Sequence, residues 1–459
     1  MTDRYDVAVI GAGVVGTAIA RRIGRSRRSC VLIDARGDVG DVTSKANTAI
    51  LHTGFDATPG SLEARLVRRG HALLRAYAAE TGIPIERTGA VVVAWNDEQA
   101  EQLTGLEEKA RANGYDRAEL ITADALYRLE PHLTAGALGA LRVPDESIIC
   151  PWSTTLAYAT QALGDGVELR LQTEVRSVHW DGEHTLETSR GTVRARWMVN
   201  AAGLGGDGLN RQLGHAEFAI TPRRGQLVVF DKLSRRLVSS IILPIPTGTT
   251  KGVLVAPTIY GNLLVGPTAE DLTDPADTAT TATGLQGLLA AGAAVVVELA
   301  GEEITSTYAG IRAATQHRDY QVFADAAQHY VCAGGIRSTG LTASMALADH
   351  VAGLLEELGC SLEERADAVA APRMPNLGEA FERPALSAAA ISADPEYGRI
   401  VCFCERVSRG EVRDSLRSVV APIDLAGVAR RTRATNGRCQ GFYCAAEVAD
   451  MLRAQGAVS

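Results

Sequence analysis

The sequence predicts an α/β chain. A Rossmann-type dinucleotide-binding domain is interleaved with a mixed-sheet substrate domain, and a small α-rich cysteine module follows. Three observations predict it: a strand running into a glycine turn and a helix at the N-terminus, two more glycine-ended strands far along the chain, and four paired cysteines near the C-terminus. With 459 residues the chain has room for two or three domains and a large apolar core. Its 46% apolar and 22% charged residues are those of an ordinary globular protein. A net charge of -8 argues against general nucleic-acid affinity, so an anionic substrate needs a local basic site.

Tyr5 to Ile10 reads as a buried strand entering Gly11-Ala-Gly13-Val-Val-Gly16, with a helix from Thr17 and a second strand, Cys30 to Asp34. Gly11 permits the tight turn, Gly13 lets the backbone approach a pyrophosphate, and Gly16 allows close helix–strand packing. The helix N-terminus offers free amides and a positive dipole end. Asp34, 23 residues after Gly11, closes the second strand where an acid can bind ribose hydroxyls. Arg196 to Gly203 is a further strand, and its small end residues Ala202 and Gly203 let the backbone press on a nucleotide. Tyr330 to Gly335 is another, leading through Arg337, Ser338 and Gly340-Leu341 into a helix from Thr342.

Between these lie helices over 61–82 and 97–114 and strands over 89–95, 225–230 and 262–266. Residues 361–397, rich in Ala, Pro and Glu, read as a linker or loose arm. Cys402-x-Cys404 and Cys439-x4-Cys444, 34 residues apart, can hold a 2Fe–2S cluster or a zinc ion once folding brings them together. A helix is expected from Ser408 to Val420, and Cys444 opens a last one, whose positive end favours a thiolate. Cys30, Cys150, Cys332 and Cys360 read as core residues. The N-terminus lacks a signal-peptide pattern, and the longest apolar stretch, roughly Leu288 to Ala300, is too short to span a bilayer. A cytoplasmic location is expected.

The three glycine-ended strands resemble the glycerol-3-phosphate dehydrogenase/D-amino-acid oxidase superfamily over roughly residues 1–360. The resemblance implies FAD, bound by segments of about 1–80, 140–215 and 320–360, with the substrate domain at about 81–139 and 216–319. Gly335, Gly340 and Leu341 then meet the flavin, and the helix start stabilises negative charge on it. Thr43 to Gly54 resembles a Ser-x-x-Asn-x-x-x-x-His-x-Gly segment, which places Ser44 and Asn47 beneath the flavin and makes His52 the general base. By the same resemblance Arg312 clamps the substrate anion, with Lys251, Arg337 and Ser338 as further substrate contacts. The last loop, Gly334-Gly335-Ile336-Arg337, departs from the Gly-Gly-Lys of glycerol-phosphate dehydrogenases, which leaves 2-hydroxy acids and secondary amines open beside glycerol 3-phosphate.

Residues 398–454 resemble the bacterioferritin-associated-ferredoxin type of 2Fe–2S domain, which implies electron transfer to a redox partner, itself a flavoprotein or iron–sulfur subunit. The cationic run Arg430, Arg431, Arg433 and Arg438 is expected to offset cluster charge or dock an acidic partner. Trp152 and Tyr260 have no assigned role, and Arg223-Arg224 reads as structural. Oligomer formation, peripheral membrane association through a partner, and a non-catalytic electron-transfer role stay open.

Overall fold

In the computed structural model, which describes residues 3–246, 252–379 and 382–456, two large sheets share one apolar core. The first is built on the strand Asp3–Ile10, parallel to Cys30–Ile33 on one side and Gly191–Asn200 on the other. Tyr330–Gly334 continues the sheet beside Gly191–Asn200, with Cys332 level with Asn200 and Asn200 level with Ile10. The glycines that follow these three strands therefore gather at one sheet edge, outside the strands' carboxyl ends, where open parallel sheets bind ligands. The helices Val14–Gly24 and Gly340–Glu357 pack together on this sheet, and Pro151–Gly164 packs on the first of them.

The second sheet has nine strands among the described residues. Its longest ladder joins Ile220–Phe230 to Ile304–Thr315, antiparallel. Arg223 and Arg224 lie inside that strand rather than before it, bound to Asp271 and to Glu270 and Asp277. A small third sheet, Ile50–Leu51 with Ser147–Ile149 and Ile85–Glu86, fixes the segment leading to His52.

Several boundaries move for local reasons. The helix expected from Ser408 to Val420 is Arg409–Leu416: Ser408 caps it, and Glu411 returns a bond to the Ser408 backbone. The helix expected from Thr342 opens at Gly340, and the one expected from Thr17 opens at Val14. Residues 361–378 are not a loose arm but pack in part against the C-terminal ends of Val14–Gly24 and Pro151–Gly164. The Val369 carbonyl accepts from Gln161 at 3.1 Å, and Arg365 donates to the Asp165 carbonyl at 2.8 Å.

Candidate active site and cysteine centre

At the first turn, Gly11 has φ +103, and a side chain there would sit 2.4 Å from the Ala201 carbonyl oxygen. A side chain on Gly16 would meet the Gly11 carbonyl at 1.8 Å. Only glycine keeps this turn and helix in contact. Gly13 is the N-cap of Val14–Gly24 and has no side-chain bond of its own to give. The Ser44 hydroxyl takes the Val14 amide instead, at 2.9 Å, which ties the 43–47 segment to that helix. Asp34 accepts from the Ala12 amide at 2.6 Å and the Arg36 amide at 2.8 Å. Burial pushes its carboxyl up despite those bonds.

The 43–47 segment runs under the long strand Ile304–Thr315. Thr43 donates to the Ile311 carbonyl at 2.7 Å, and the Tyr308 hydroxyl donates to the Asn47 carbonyl at 2.8 Å. Gly310 leaves no room for a Cβ, which would stand 2.0 Å from the Ala46 carbonyl. Asn47 folds the segment on itself by bonding the Ser44 carbonyl and the Ala49 amide. Opposite, the buried start of Gly340–Glu357 has Thr339 as N-cap with no side-chain bond to the first-turn amides. Leu341 is buried there, and Gly335 has φ +63. Ala202 donates its amide to Asn200 at 3.2 Å, and Gly203 follows with φ +54 and open space around it. Close-approach glycines and an uncapped buried helix start on one sheet edge suit a dinucleotide whose flavin end meets that helix.

His52 stands beside the same helix start, its amide bonded to Thr342 Oγ1 at 3.0 Å. Its Nδ1 is 3.2 Å from Oε2 of Glu146, a 1% exposed carboxylate with no sequence signal of its own. Arg312, on Ile304–Thr315, donates to the Thr268 carbonyl at 2.9 Å and has no carboxylate partner among the described residues. Burial, helped by the nearby Arg223 charge, lowers its proton affinity. Gly225 keeps the space its guanidinium fills, since a Cβ there would be 2.3 Å from Nη2. Arg337 instead donates to the Arg318 carbonyl, Ser338 is exposed, and Lys251 lies outside the described residues.

The four cysteines meet in two pairs, Cys404 with Cys439 and Cys402 with Cys444. Among the described residues, no three His, Cys, Asp or Glu side chains surround one point as a single metal ion needs. Four thiols in two pairs are the ligand set that a 2Fe–2S cluster takes. Gly437 has no room for a Cβ, which would fall 2.3 Å from that of Cys404. Backbone amides of Tyr443, Gly441 and Phe442 bond Cys439 and lower its thiol. Cys444 does open the helix Ala445–Ala454, yet burial and the adjacent Cys402 push it up to about 12, so the helix end does not dominate. A bound cationic centre would relieve that crowding of sulfur charge.

The expected cationic run docks on its own chain. Arg430 and Arg431 both bond buried Asp38, at 2.6 and 2.7 Å, four residues beyond Asp34. Arg433 pairs with Glu405 at 3.1 Å, and its guanidinium sits 4.2 Å over the Tyr260 ring. Arg438 meets Asp231 at 2.9 Å and Glu303 at 3.1 Å. Tyr260 stacks on Trp152 at 5.1 Å, and Trp152 donates to the Lys45 carbonyl at 3.1 Å. Cys30, Cys150, Cys332 and Cys360 are buried core residues.

The FAD dependent oxidoreductase family model matches residues 6–354, and the BFD-like [2Fe-2S] binding domain matches residues 400–454. The glycerol 3-phosphate dehydrogenase of Caloramator mitchellensis is 34% identical over 454 residues, 98% of this chain and 94% of that protein. The glycerol 3-phosphate oxidase of Mycoplasma pneumoniae is 28% identical, covering 77% of this chain and 95% of that protein. A solved dithionite-reduced, FAD-bound L-alpha-glycerophosphate oxidase from Mycoplasma pneumoniae superposes with a TM-score of 0.77. It is 27% identical and covers 82% of this chain and all of that one. This chain belongs to the FAD-dependent oxidoreductase family, and its cofactors are FAD and a 2Fe–2S cluster.

Proposed function

We propose that this FAD-dependent oxidoreductase is a dehydrogenase that converts glycerol 3-phosphate to dihydroxyacetone phosphate and sends the electrons through its own 2Fe–2S cluster to a partner. The carrying observation is that the match to the Caloramator mitchellensis glycerol 3-phosphate dehydrogenase runs through both the flavin unit and the cysteine module. The 2-hydroxy-acid alternative has less behind it. The L-2-hydroxyglutarate dehydrogenase of Escherichia coli (strain K12) is 30% identical but covers 58% of this chain.

FAD, when bound, accepts a hydride, and the cluster passes electrons on one at a time. The chain's own residues do the rest. Arg312, part-buried and with no carboxylate partner among the described residues, presents its guanidinium fork to the phosphate, with Lys251 and Arg337 as further cations. His52 takes the hydroxyl proton at Nε2. Ser44, Asn47 and the first-turn amides of Gly340–Glu357 hold the flavin's bed. Gly11, Gly13, Gly16 and Asp34 take the pyrophosphate and ribose. We assign residues 1–360 to the flavin unit, 361–397 to the connecting arm and 398–459 to the cluster module.

Phe403, Phe442 and Tyr443, between and beside the cluster cysteines, are 69%, 85% and 73% exposed. They support docking of an electron-accepting protein there, with oligomer formation and membrane association following from that partner. Among the described residues no helix is long and apolar enough to cross a membrane. Thiols kept free for a cluster favour work in the reducing cytoplasm. Turnover with an artificial acceptor tests the substrate. Dihydroxyacetone phosphate from glycerol 3-phosphate is expected; 2-oxoglutarate from L-2-hydroxyglutarate at a higher rate would reverse the assignment.

A further inference from the structure

The carboxylate of Glu146 divides its two oxygens between two tasks. Oε1 accepts both the amide and the hydroxyl of Thr53, at 2.6 and 2.8 Å. Oε2 faces Nδ1 of His52 at 3.2 Å. The main chain around both residues is fixed. Gly89 donates to the Glu146 carbonyl at 2.9 Å, and Thr342 accepts the His52 amide. His71 feels the Glu146 charge, and it and Asp145 make their bonds to other groups. His71 of Leu62–Thr81 is 3.3 Å from the Asp145 carbonyl, and the Asp145 carboxylate pairs with Arg117 at 2.9 Å and with Arg87. An ionised carboxylate only accepts, so the ring nitrogen facing it must carry the hydrogen.

We infer that Glu146 is a positioning residue that holds His52 in its Nδ1–H form, so that Nε2 keeps a lone pair for the substrate hydroxyl. The inference rests on the reading of His52 as the base. In the step it serves, the alcohol O–H bond breaks and its proton joins Nε2. The hydride leaves carbon with its electron pair for the flavin, and the carbon–oxygen bond becomes a ketone. Glu146 gains no proton. It stays an acceptor and faces the imidazolium that forms, as the third member of a serine-protease triad does.

Glu146→Gln tests this because the amide keeps the shape and inverts the chemistry. Its oxygen still takes the Thr53 bonds, while its NH2 group faces Nδ1 and forces the hydrogen onto Nε2. By analogy with the inverted tautomer of that triad, anaerobic flavin reduction should slow by about 10³–10⁴-fold. Substrate affinity should hardly change. Glu146→Asp should recover part of the rate. Glu146→Ala, which frees the ring to choose either form, should slow it less than Gln does. A purely structural role would give the opposite order, since only Ala loses the Thr53 bonds; if Ala fails to retain flavin, the Gln and Asp variants decide alone.

Nitrogen-15 histidine NMR of the holoprotein reads the tautomer without turnover, with His52→Asn identifying the resonance. Nδ1–H is expected in the natural protein and Nε2–H in Glu146→Gln. An unchanged tautomer, or an unchanged rate in Glu146→Gln, overturns the inference. If His52→Asn itself reduces flavin at the full rate, the base reading falls instead. If His52→Asn is slow and Glu146→Gln is not, only the positioning role falls.

Discussion

Asp38→Ala should loosen the cluster module from the flavin unit. Asp38 is 4% exposed in its side chain, and its partners Arg430 and Arg431 are 8% and 4% exposed. Removing one member of such a buried pair strands the opposite charge, at a cost of about 3–5 kcal/mol. Part of that is recovered here. Arg430 keeps Asp41 at 3.0 Å, and Arg431 keeps the Val420 and Gly427 carbonyls. A loss of about 3 kcal/mol corresponds to roughly a hundredfold rise in the open fraction. Hydrogen exchange over Leu425–Thr432 reads that fraction directly. Substrate-driven reduction of the cluster should slow while flavin reduction does not. Burial raises Asp38, but the bonds and charges of Arg431 and Arg430 outweigh it and hold the carboxyl below its usual range. Its contribution is therefore present above the ordinary carboxylate pKa and is lost only as pH falls through the lowered value. Unchanged exchange together with an unchanged cluster-reduction rate in Asp38→Ala would show that Asp38 does not hold the module in place.

Burial pushes His184 down to about 4. The unfolded chain then binds a proton that the folded one refuses, so stability should fall by about 3 kcal/mol as pH drops from the ordinary histidine pKa near 6.5 to that value. Urea titrations across that range should show the loss, and His184→Phe should flatten it. Gly437→Ala should abolish the cluster's visible absorption while leaving the flavin spectrum intact, because the added methyl collides with the Cβ of Cys404. Arg312→Ala should weaken substrate binding by about 10–150-fold, the worth of a charged hydrogen bond of 1.5–3 kcal/mol, as read in the substrate dependence of flavin reduction.

What the sequence makes legible here is what neighbouring residues decide. The glycine turn at Gly11, the strand ends at Gly203 and Gly335 and the paired cysteines each announce themselves within a few positions. The helix Pro151–Gly164 carries such a signal too, a proline in its first turn behind the capping Cys150. Long-range polar pairs leave none. Glu146 meets His52 across 94 residues, and Asp38 meets Arg431 across 393, so each reads in sequence as one more acid in a loop. Arg433 over Tyr260, and Trp152 on the Lys45 carbonyl, join the cysteine module to the 43–47 segment in the same hidden way, so Trp152 and Tyr260 carry no local sign of linking the two.

Anaerobic titration of the holoprotein with glycerol 3-phosphate, followed by absorbance and low-temperature EPR on the same samples, tests both the substrate and the internal electron route. Flavin bleaching together with the signal of a reduced 2Fe–2S cluster is expected before any partner is added. Bleaching with a silent cluster would contradict the electron route, and no bleaching by glycerol 3-phosphate would contradict the substrate.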